Sequence, residues 1–344
     1  MKELLTVKKL TARIAVAIVL LVLVMCVCSL VGTQRISLSA VFAGGHSQQT
    51  VNTDYEIFVH VRLPRILLAC VVGAALACAG VVFQGLLRNP LADPYILGIS
   101  SGAGLGVMIA VMSGYSWTLW GRSPITVFAF AGALLTVWLV WLIGRFTGRA
   151  NMTGLLLAGV VVNAFFSAVI MFLTSVVKSD QLHSTIFWLM GNMTEESFFV
   201  LWVCGGCVLA GIVVLFCISG RLNLISLGED EATSMGVNTV RTRTIAFAAA
   251  AGITAIAVSL SGLIGFVGLI VPHGVRLIFG PDHRQLLPLS AITGSAMLVI
   301  ADTFARVVVA PAQLPVGVVT AITGGPIFLL LLTRYARKSG LLNK

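Results

Sequence analysis

The sequence predicts an all-α integral membrane protein with about ten transmembrane helices. Three observations lead to this fold class: 58% of the 344 residues are hydrophobic, only 10% are charged, and the mean hydropathy is +1.04. Typical globular proteins are about 25% charged. Apolar sequence must therefore cover most of the chain, which is more than a soluble core of this size requires. These values exclude a water-soluble fold.

The helices can be placed by length, because a bilayer core of about 30 Å needs roughly 20 apolar residues per helix. Apolar runs of that length, bounded by charge, proline or glycine, give the spans 14–31, 66–87, 95–113, 125–143, 154–177, 198–219, 244–262, 263–279, 286–306 and 316–333. The seventh and eighth spans abut at Ser261 and Gly262, and the eighth contains Pro272 and His273. We therefore expect the eighth span to be short, tilted or broken.

Basic residues predict the orientation of these helices. The first apolar run follows Lys8, Lys9 and Arg13 and is longer than the usual 7–15-residue core of a signal peptide, which indicates an uncleaved first helix. With the N-terminus in the cytoplasm, an even number of spans returns the C-terminus to the cytoplasm. Sixteen of the 22 Lys and Arg residues then lie on the cytoplasmic side, as the positive-inside rule requires. We expect a multi-pass protein of the cell inner membrane in lipid contact, and the basic pI of about 9.7 indicates no nucleic-acid partner.

The chain is predicted to form a single transmembrane domain over residues 1–344, with three longer polar segments. Segments 32–63 and 178–197 lie outside, whereas 220–243 lies in the cytoplasm. The core of the cytoplasmic segment predicts two short helical pieces around a glycine. The acids Glu229, Asp230 and Glu231 stand at a helix N-terminus, where the helix dipole favours negative charge.

Signatures of catalysis and metal binding are missing from the sequence. No G-x-x-x-x-G-K-[ST] phosphate loop occurs, and the five histidines show no metal-ligand spacing. Cys204 and Cys207 form a C-x-x-C pattern, but in the middle of a predicted span. We therefore expect no catalytic residue, no metal site and no cofactor bound by this chain.

Several short motifs follow one another along the chain. They are R-L-P-R at 62–65, N-P-L-A-D-P at 89–94, L-G-I-S-S-G-A-G at 97–104, L-L-L-A-G at 155–159, L-G-E-D-E-A at 227–232, G-F-V-G-L-I-V-P-H at 265–273, A-D-T-F-A-R at 301–306 and L-P-V-G at 314–317. In this order, over residues 60–335, the motifs resemble the FecCD-type permeases. These are the membrane subunits of ABC importers for iron-siderophore, haem and cobalamin.

The resemblance implies a type II ABC importer permease. Such a permease is a homodimer of ten-helix subunits with one pathway along the dimer axis. It works with two copies of a cytoplasmic ABC ATPase, which bind ATP and Mg, and with an extracytoplasmic substrate-binding protein that delivers the metal chelate. ATP hydrolysis then belongs to the ATPase and not to this chain.

Arginines that match the family's docking positions are Arg62, Arg65 and Arg306. The resemblance implies that they meet carboxylates of the binding protein, a task that suits the planar fork of Arg. The alternative is a structural role: the side chains snorkel at the interface, and Arg306 pairs with Asp302 at i, i+4.

The cytoplasmic segment matches the family's coupling helices, which insert into the ATPase. Its residues are Leu227, Gly228, Glu229, Asp230, Glu231, Ala232, Met235 and Gly236. The alternative is a solvated loop, because consecutive acids usually mark a wet surface.

Two further sets rest on the resemblance. Asn89, Leu91, Met152 and Thr153 match the cytoplasmic gate, although they would also serve as turn-formers or helix starts. Ser100, Ser101, Gly102 and Gly104 match a stretch that lines the pathway, although small residues also let helices pack closely. For His273, a kink beside Pro272 and a proton path are both open.

The sequence thus predicts the permease subunit of an ABC importer for an iron chelate, with haem and cobalamin as close alternatives. A rival of another class is an ion-coupled secondary transporter. It would need buried ionisable residues within the spans, and His273 is almost the only candidate.

Overall fold

The computed structural model describes residues 6–34, 36, 37, 39, 41, 46–47, 50–114, 124–146, 152–193 and 197–338. Helices dominate this part of the chain, and a two-residue antiparallel pairing joins β1 (His46–Ser47) to β2 (Thr50–Val51). The helices are α1 (Val7–Leu30), α2 (Thr53–Leu86), α3 (Ile99–Met112), α4 (Pro124–Phe146), α5 (Met152–Val176), α6 (Ser179–Leu189), α7 (Phe198–Cys217), α8 (Ser219–Leu227), α9 (Glu229–Ser234), α10 (Thr239–Ser261), α11 (Val267–Phe279), α12 (His283–Val307) and α13 (Val316–Lys338). The predicted all-α fold class is confirmed.

Each of the ten predicted spans overlaps one of the longer helices of the described chain. Seven of these helices are long and apolar enough to cross a membrane, whereas α3, α11 and the apolar part of α13, Val316–Leu330, are shorter. The number of spans and the side of each terminus stay predictions.

The third and eighth spans begin later than predicted because backbone turns take their first residues. A 3₁₀ turn, Pro94–Leu97, precedes α3 and ends at Gly98, whose φ is +75°. Residues 262–266 before α11 are not helical, and Gly262 and Phe266 have φ of +67° and +68°. Positive φ ends a right-handed helix, and glycine adopts it without strain.

Helix α2 lies at the centre of the fold, against α12, α10, α11 and α7. Small residues permit this packing. A methyl group on Gly73 would lie 2.9 Å from the backbone nitrogen of Ser295 in α12, and one on Gly80 would lie 2.9 Å from Cα of Gly268 in α11. Helices in membranes associate through such close backbone approach, since lipid supplies no hydrophobic drive between them.

The second span begins earlier than predicted, at Thr53 instead of 66. Its first three turns carry Asp54, Glu56, His60 and Arg62, so hydropathy did not indicate a helix there. Residues Ile57–Arg62 form a π-helical stretch, a rare geometry that often occurs at functional sites. It ends at the first of the predicted docking arginines.

Candidate functional site

A buried charge cluster joins the start of α2 to the end of α12. Asp302 accepts a hydrogen bond from Arg65 Nε at 2.9 Å, and its other oxygen lies 3.1 Å from Arg306 Nε. Asp302 is 1% exposed. The pairing of Arg306 with Asp302 at i, i+4 is therefore present, and a second arginine from α2 shares the same carboxylate. A carboxylate buried this deeply is stable only when it is paired in this way.

Arg62 points away from this cluster, toward the end of α1. Its Nη1 donates to the carbonyl of Ser29 at 2.8 Å, and its Nη2 donates to the carbonyl of Gln34. Carbonyls at a helix C-terminus lack partners within the helix, and a guanidinium group satisfies them well. Arg62 therefore holds the end of α1 against α2.

All three arginines are buried: Arg62, Arg65 and Arg306 are 3%, 5% and 8% exposed. They line a cavity of about 200 Å³, together with Gln34, Gln313 and small or apolar residues. Among the described residues, no carboxylate lines it. Arg65 Nη1 donates to Gln313 Oε1 at 3.0 Å, and Arg65 Nη2 is buried with no hydrogen-bond partner. The arginines thus form a cationic recess, and their docking role stays a prediction.

The cytoplasmic segment forms two short helices, α8 and α9, separated by Gly228. Ala232 is fully buried, whereas Leu227 and Met235 are 70% and 64% exposed. Glu229 forms an ion pair with Arg243 of α10. The segment is therefore an ordered, anchored unit that presents apolar side chains, and not a loop.

The remaining coupling residues occupy the exposed face of this unit and the turn after it. Asp230 and Glu231 are exposed in the first turn of α9. Gly236 follows α9 with a φ of +79°, and a methyl group added there would meet no atom within 4 Å. Glycine is favoured at this position by the positive φ of the backbone, and not by a lack of space for a side chain.

The predicted gate residues lie at the end of α2 and the start of α5. Asn89 is exposed and its Oδ1 accepts from the backbone N–H of Leu91 at 2.9 Å, as in an Asx turn. Leu91 is also exposed. Met152 and Thr153 begin α5; the conformation of their side chains lies outside the described residues. This geometry agrees with turn-forming and helix-starting roles, and the gate stays a prediction.

Asp93 follows this turn and starts the 3₁₀ helix. Its Oδ1 accepts from the backbone N–H of Tyr95 at 2.8 Å. The Tyr95 hydroxyl donates to the carbonyl of Ile264 at 3.0 Å and accepts from the backbone N–H of the same residue. Burial raises the pKa of Asp93 to about 6. The turn before α3 is thereby tied to the turn before α11.

A larger cavity of about 700 Å³ lies between α3, α5 and α6. Ser100 and Ser101 of α3 line it, and their place along the transport pathway stays a prediction. Gly104 lies close by, since a methyl group there would approach Leu189 Cδ2, part of the lining, at 2.9 Å. Gly102 instead packs on α4, where a methyl group would lie 2.9 Å from Thr136 Cβ. Gly102 therefore allows two helices to pack closely, which was the alternative role that the sequence left open.

The opposite wall of this cavity comes from residues of α5 that the sequence analysis did not single out. Asn163, Ser167 and Thr174 line it from one face of that helix. Their spacing of four and seven residues on a mostly apolar helix is a readable signal, because such residues share a face.

Comparison with known proteins gives the family. The family model described as "FecCD transport family" matches residues 20–334. The chain belongs to the FecCD transport family. Among curated FecCD relatives, the hemin transport system permease protein HmuU of Yersinia pestis is 40% identical over 299 residues, which cover 87% of this chain and 89% of the relative. The cobalamin import system permease protein BtuC of Halobacterium salinarum is 44% identical over 272 residues, covering 79% and 72%.

A solved structure agrees with the FecCD assignment. An inward-facing conformation of a metal-chelate type ABC transporter matches with a TM-score of 0.82 at 33% identity, over 93% of this chain and 98% of that one. The chain is therefore a multi-pass permease of the inner membrane and not an enzyme. ABC permeases of this kind work with an ATPase and a substrate-binding protein, which excludes the ion-coupled rival.

Proposed function

We propose that this permease imports a metal chelate of the iron-siderophore class, or haem or cobalamin, as a homodimer with two ATPase subunits. Membership of the FecCD family carries the proposal, and the 700 Å³ cavity supports it. Relatives named for hemin, cobalamin and iron chelatin transport are about 40% identical to this chain.

The lining of this cavity suits a bulky cargo that arrives with its metal already bound. Small hydroxyl and amide side chains from α3 and α5 alternate with apolar ones, and the described part of the lining contains no charged residue. A chelated metal needs no ligand from the protein. A wall that holds the cargo weakly also lets it leave, because tight binding in the pathway would stop transport.

A second copy of the chain would close the open side of the cavity. Met171 lines the cavity from α5 and is 74% exposed. The same helix also exposes Leu157, Val161 and Phe165. A dimer that pairs these α5 faces would build one central pathway from two cavities, which supports the homodimer.

Transport in this proposal is alternating access. The loaded binding protein docks at the arginine recess, and ATP closes the two ATPase subunits. Helices α8 and α9, anchored through Glu229 and Arg243, transmit that motion to the gate residues near Asn89 and the start of α5. An ordered pair of helices can act as a lever, which a flexible loop cannot.

The test is uptake into proteoliposomes that contain the permease, its ATPase and its binding protein, with a ferric siderophore, haemin and cobalamin as separate substrates. We expect ATP-dependent uptake of one of them that persists after ion gradients are dissipated, and no ATP hydrolysis by the permease alone. Ser167→Phe, which fills the cavity, should reduce uptake roughly tenfold or more, whereas Ser113→Phe, exposed at the end of α3 outside the cavity lining, should not. ATP-independent uptake, or equal effects of both substitutions, would contradict the proposal.

A further inference from the structure

A third cavity, of about 370 Å³, has no role in the steps described so far. It lies where the end of α2, the second half of α11 and the start of α12 meet, and Ser226 of α8 stands at its edge. It is therefore at the same end of the molecule as the coupling segment. Two arginines and two histidines line it, and no carboxylate does so within the described chain.

One of the histidines presents a hydrogen-bond acceptor to this cavity. His283 Nδ1 lies 2.7 Å from Asn223 Oδ1, and the Asn223 amide is oriented because its Nδ2 donates to Asp282 Oδ1 at 2.6 Å. Asn223 Oδ1 also accepts from the backbone N–H of His283. Since that oxygen can only accept, His283 Nδ1 carries the hydrogen and Nε2 carries the lone pair.

The lone pair of His283 has no partner in the structure. His283 is 3% exposed, and its Nε2 is buried without a hydrogen bond. A methyl group on Gly85, which also lines the cavity, would lie 2.7 Å from this nitrogen. The acceptor therefore lies against α2 at Gly85, in the wall of the cavity.

Gln84 provides a second acceptor of the same kind. It is 1% exposed, and its Nε2 donates to the carbonyls of Leu269 at 3.1 Å and Gly268 at 3.4 Å. These bonds fix the amide, so its Oε1 is the acceptor that remains, and it has no partner. Buried polar atoms in proteins are nearly always hydrogen-bonded. Two unsatisfied acceptors in the wall of one cavity therefore indicate an occupant that donates hydrogen bonds.

The cationic side of the cavity indicates that the occupant is also an anion. Arg88 donates from Nη2 to the carbonyl of Ile225 at 3.0 Å, which leaves its other donors for the cavity. Its φ is +48°, a conformation that a residue with a long side chain seldom adopts and that concentrates at functional sites. Arg276 faces it from α11. Guanidinium groups recognise phosphate through paired, charge-assisted hydrogen bonds.

We propose that this cavity binds a phosphate group that carries its own hydrogen-bond donor. The phosphate oxygens meet Arg88 and Arg276, and the donor meets His283 Nε2 and Gln84 Oε1. Hydrogen phosphate fits, with its P–O–H, and so does a phospholipid headgroup with an O–H or N–H, such as phosphatidylethanolamine. Leu277 and Ile278, exposed beside the cavity at the end of α11, offer apolar surface to an acyl chain. Bound there, the group would join α2, α11 and α12 to the base of the coupling segment.

The soluble source is tested by calorimetric titration of the full-length permease in detergent with inorganic phosphate and with sulfate. Sulfate has the same shape and charge but no hydrogen to donate at neutral pH. We expect phosphate to bind more tightly than sulfate. Arg88→Gln should weaken both about tenfold, because it removes a charge-assisted bond. His283→Phe should abolish the preference for phosphate. Arg221→Gln, an exposed arginine of α8 outside the cavity, is the matched control and should change neither.

The lipid source is tested by native mass spectrometry of the permease from vesicles of phosphatidylcholine with and without phosphatidylethanolamine. Choline has no N–H, so retention of phosphatidylethanolamine alone, lost in Arg88→Gln and kept in Arg221→Gln, would support a lipid headgroup. Binding of phosphate without lipid retention would support the soluble source.

The inference is overturned if neither phosphate nor phosphatidylethanolamine binds, if phosphate and sulfate bind equally, or if Arg221→Gln weakens binding as much as Arg88→Gln. Because Arg88→Gln lies at an exposed position, it remains informative if His283→Phe does not fold. All measurements use the permease alone, so they do not depend on its transport substrate.

Discussion

At the scale of single residues, the main electrostatic feature is the pairing of Asp302 with two arginines. The pairing of Arg306 with Asp302 could be predicted from the sequence, because residues four apart on a helix are neighbours. The pairing of Arg65 with the same carboxylate could not, since the two residues are 237 positions apart. The sequence matched the three arginines to the family's docking positions, and only the tertiary packing of α1, α2 and α12 encloses them in a recess.

At the same scale, Asp93 is expected to make stability depend on pH. Its pKa is raised from 3.8 to about 6 because burial disfavours the charged carboxylate. The contribution of this residue is therefore fully present below pH 3.8 and is lost as the pH rises through about 6. Asp93→Asn keeps the hydrogen bond to Tyr95 without the charge, since Asn caps helices as well as Asp. The variant should be more stable than wild type at pH 8, by on the order of 2–3 kcal/mol, and similar to it at pH 4.

Thermal unfolding of both proteins in detergent between pH 4 and 8 measures this difference. Asp230→Asn removes the same charge from an exposed position and serves as the control. Parallel pH profiles for wild type and Asp93→Asn would show that the buried carboxylate carries no penalty.

Among the helices, those with long apolar runs could be predicted from composition, and those shaped by local backbone geometry could not. The span that became α12 was predicted at 286–306, close to its observed bounds, because hydropathy and length suffice there. The early start of α2 was missed, since its first turns are polar and are held by contacts with the end of α1. The late start of α11 depends on the positive φ of Phe266, which no pattern in the sequence indicates.

The coupling segment gives the prediction at the scale of elements. Gly236→Trp should abolish transport while the protein still inserts and folds, because a bulky side chain would stand on the surface that meets the ATPase. Gly236→Asn is the control: Asn tolerates the φ of +79° better than other residues and adds little bulk. We expect it to keep most of the activity. Uptake assays on both variants, matched for amount in the membrane, measure the effect, and normal uptake by Gly236→Trp would leave the segment without a coupling role.

At the scale of the whole molecule, the sequence motifs predicted the family, but they did not predict which residues line the cavities. They identified the family because their order along the chain is specific, although each is short. The cavities depend on which helices meet, and the lining of the 700 Å³ cavity by Asn163, Ser167 and Thr174 required the packing of α5 against α3. Ser100 and Ser101 could be predicted because they belong to a motif, whereas the α5 residues belong to none.

The recess formed by Arg62, Arg65 and Arg306 gives the prediction for the assembled transporter. If it receives a carboxylate of the binding protein, a competing negative charge in its lining should weaken docking. Gln313 is exposed and accepts from Arg65, so Gln313→Glu adds that charge without breaking the pairs with Asp302. Reversing an arginine would break those pairs, and a loss of docking could then result from a loss of folding.

Because the new carboxylate occupies part of the recess, the affinity for the binding protein should fall roughly two- to tenfold at low salt. The difference from wild type should shrink at physiological salt, where the charges are partly screened.

The matched control is Lys178→Gln, which lowers the net charge by the same amount at an exposed residue of the same predicted face. Binding of the cognate binding protein to the assembled transporter, measured at both salt concentrations, decides the matter. Equal affinities for wild type and Gln313→Glu at low salt would assign the three arginines to the structure of the permease and leave docking to another surface.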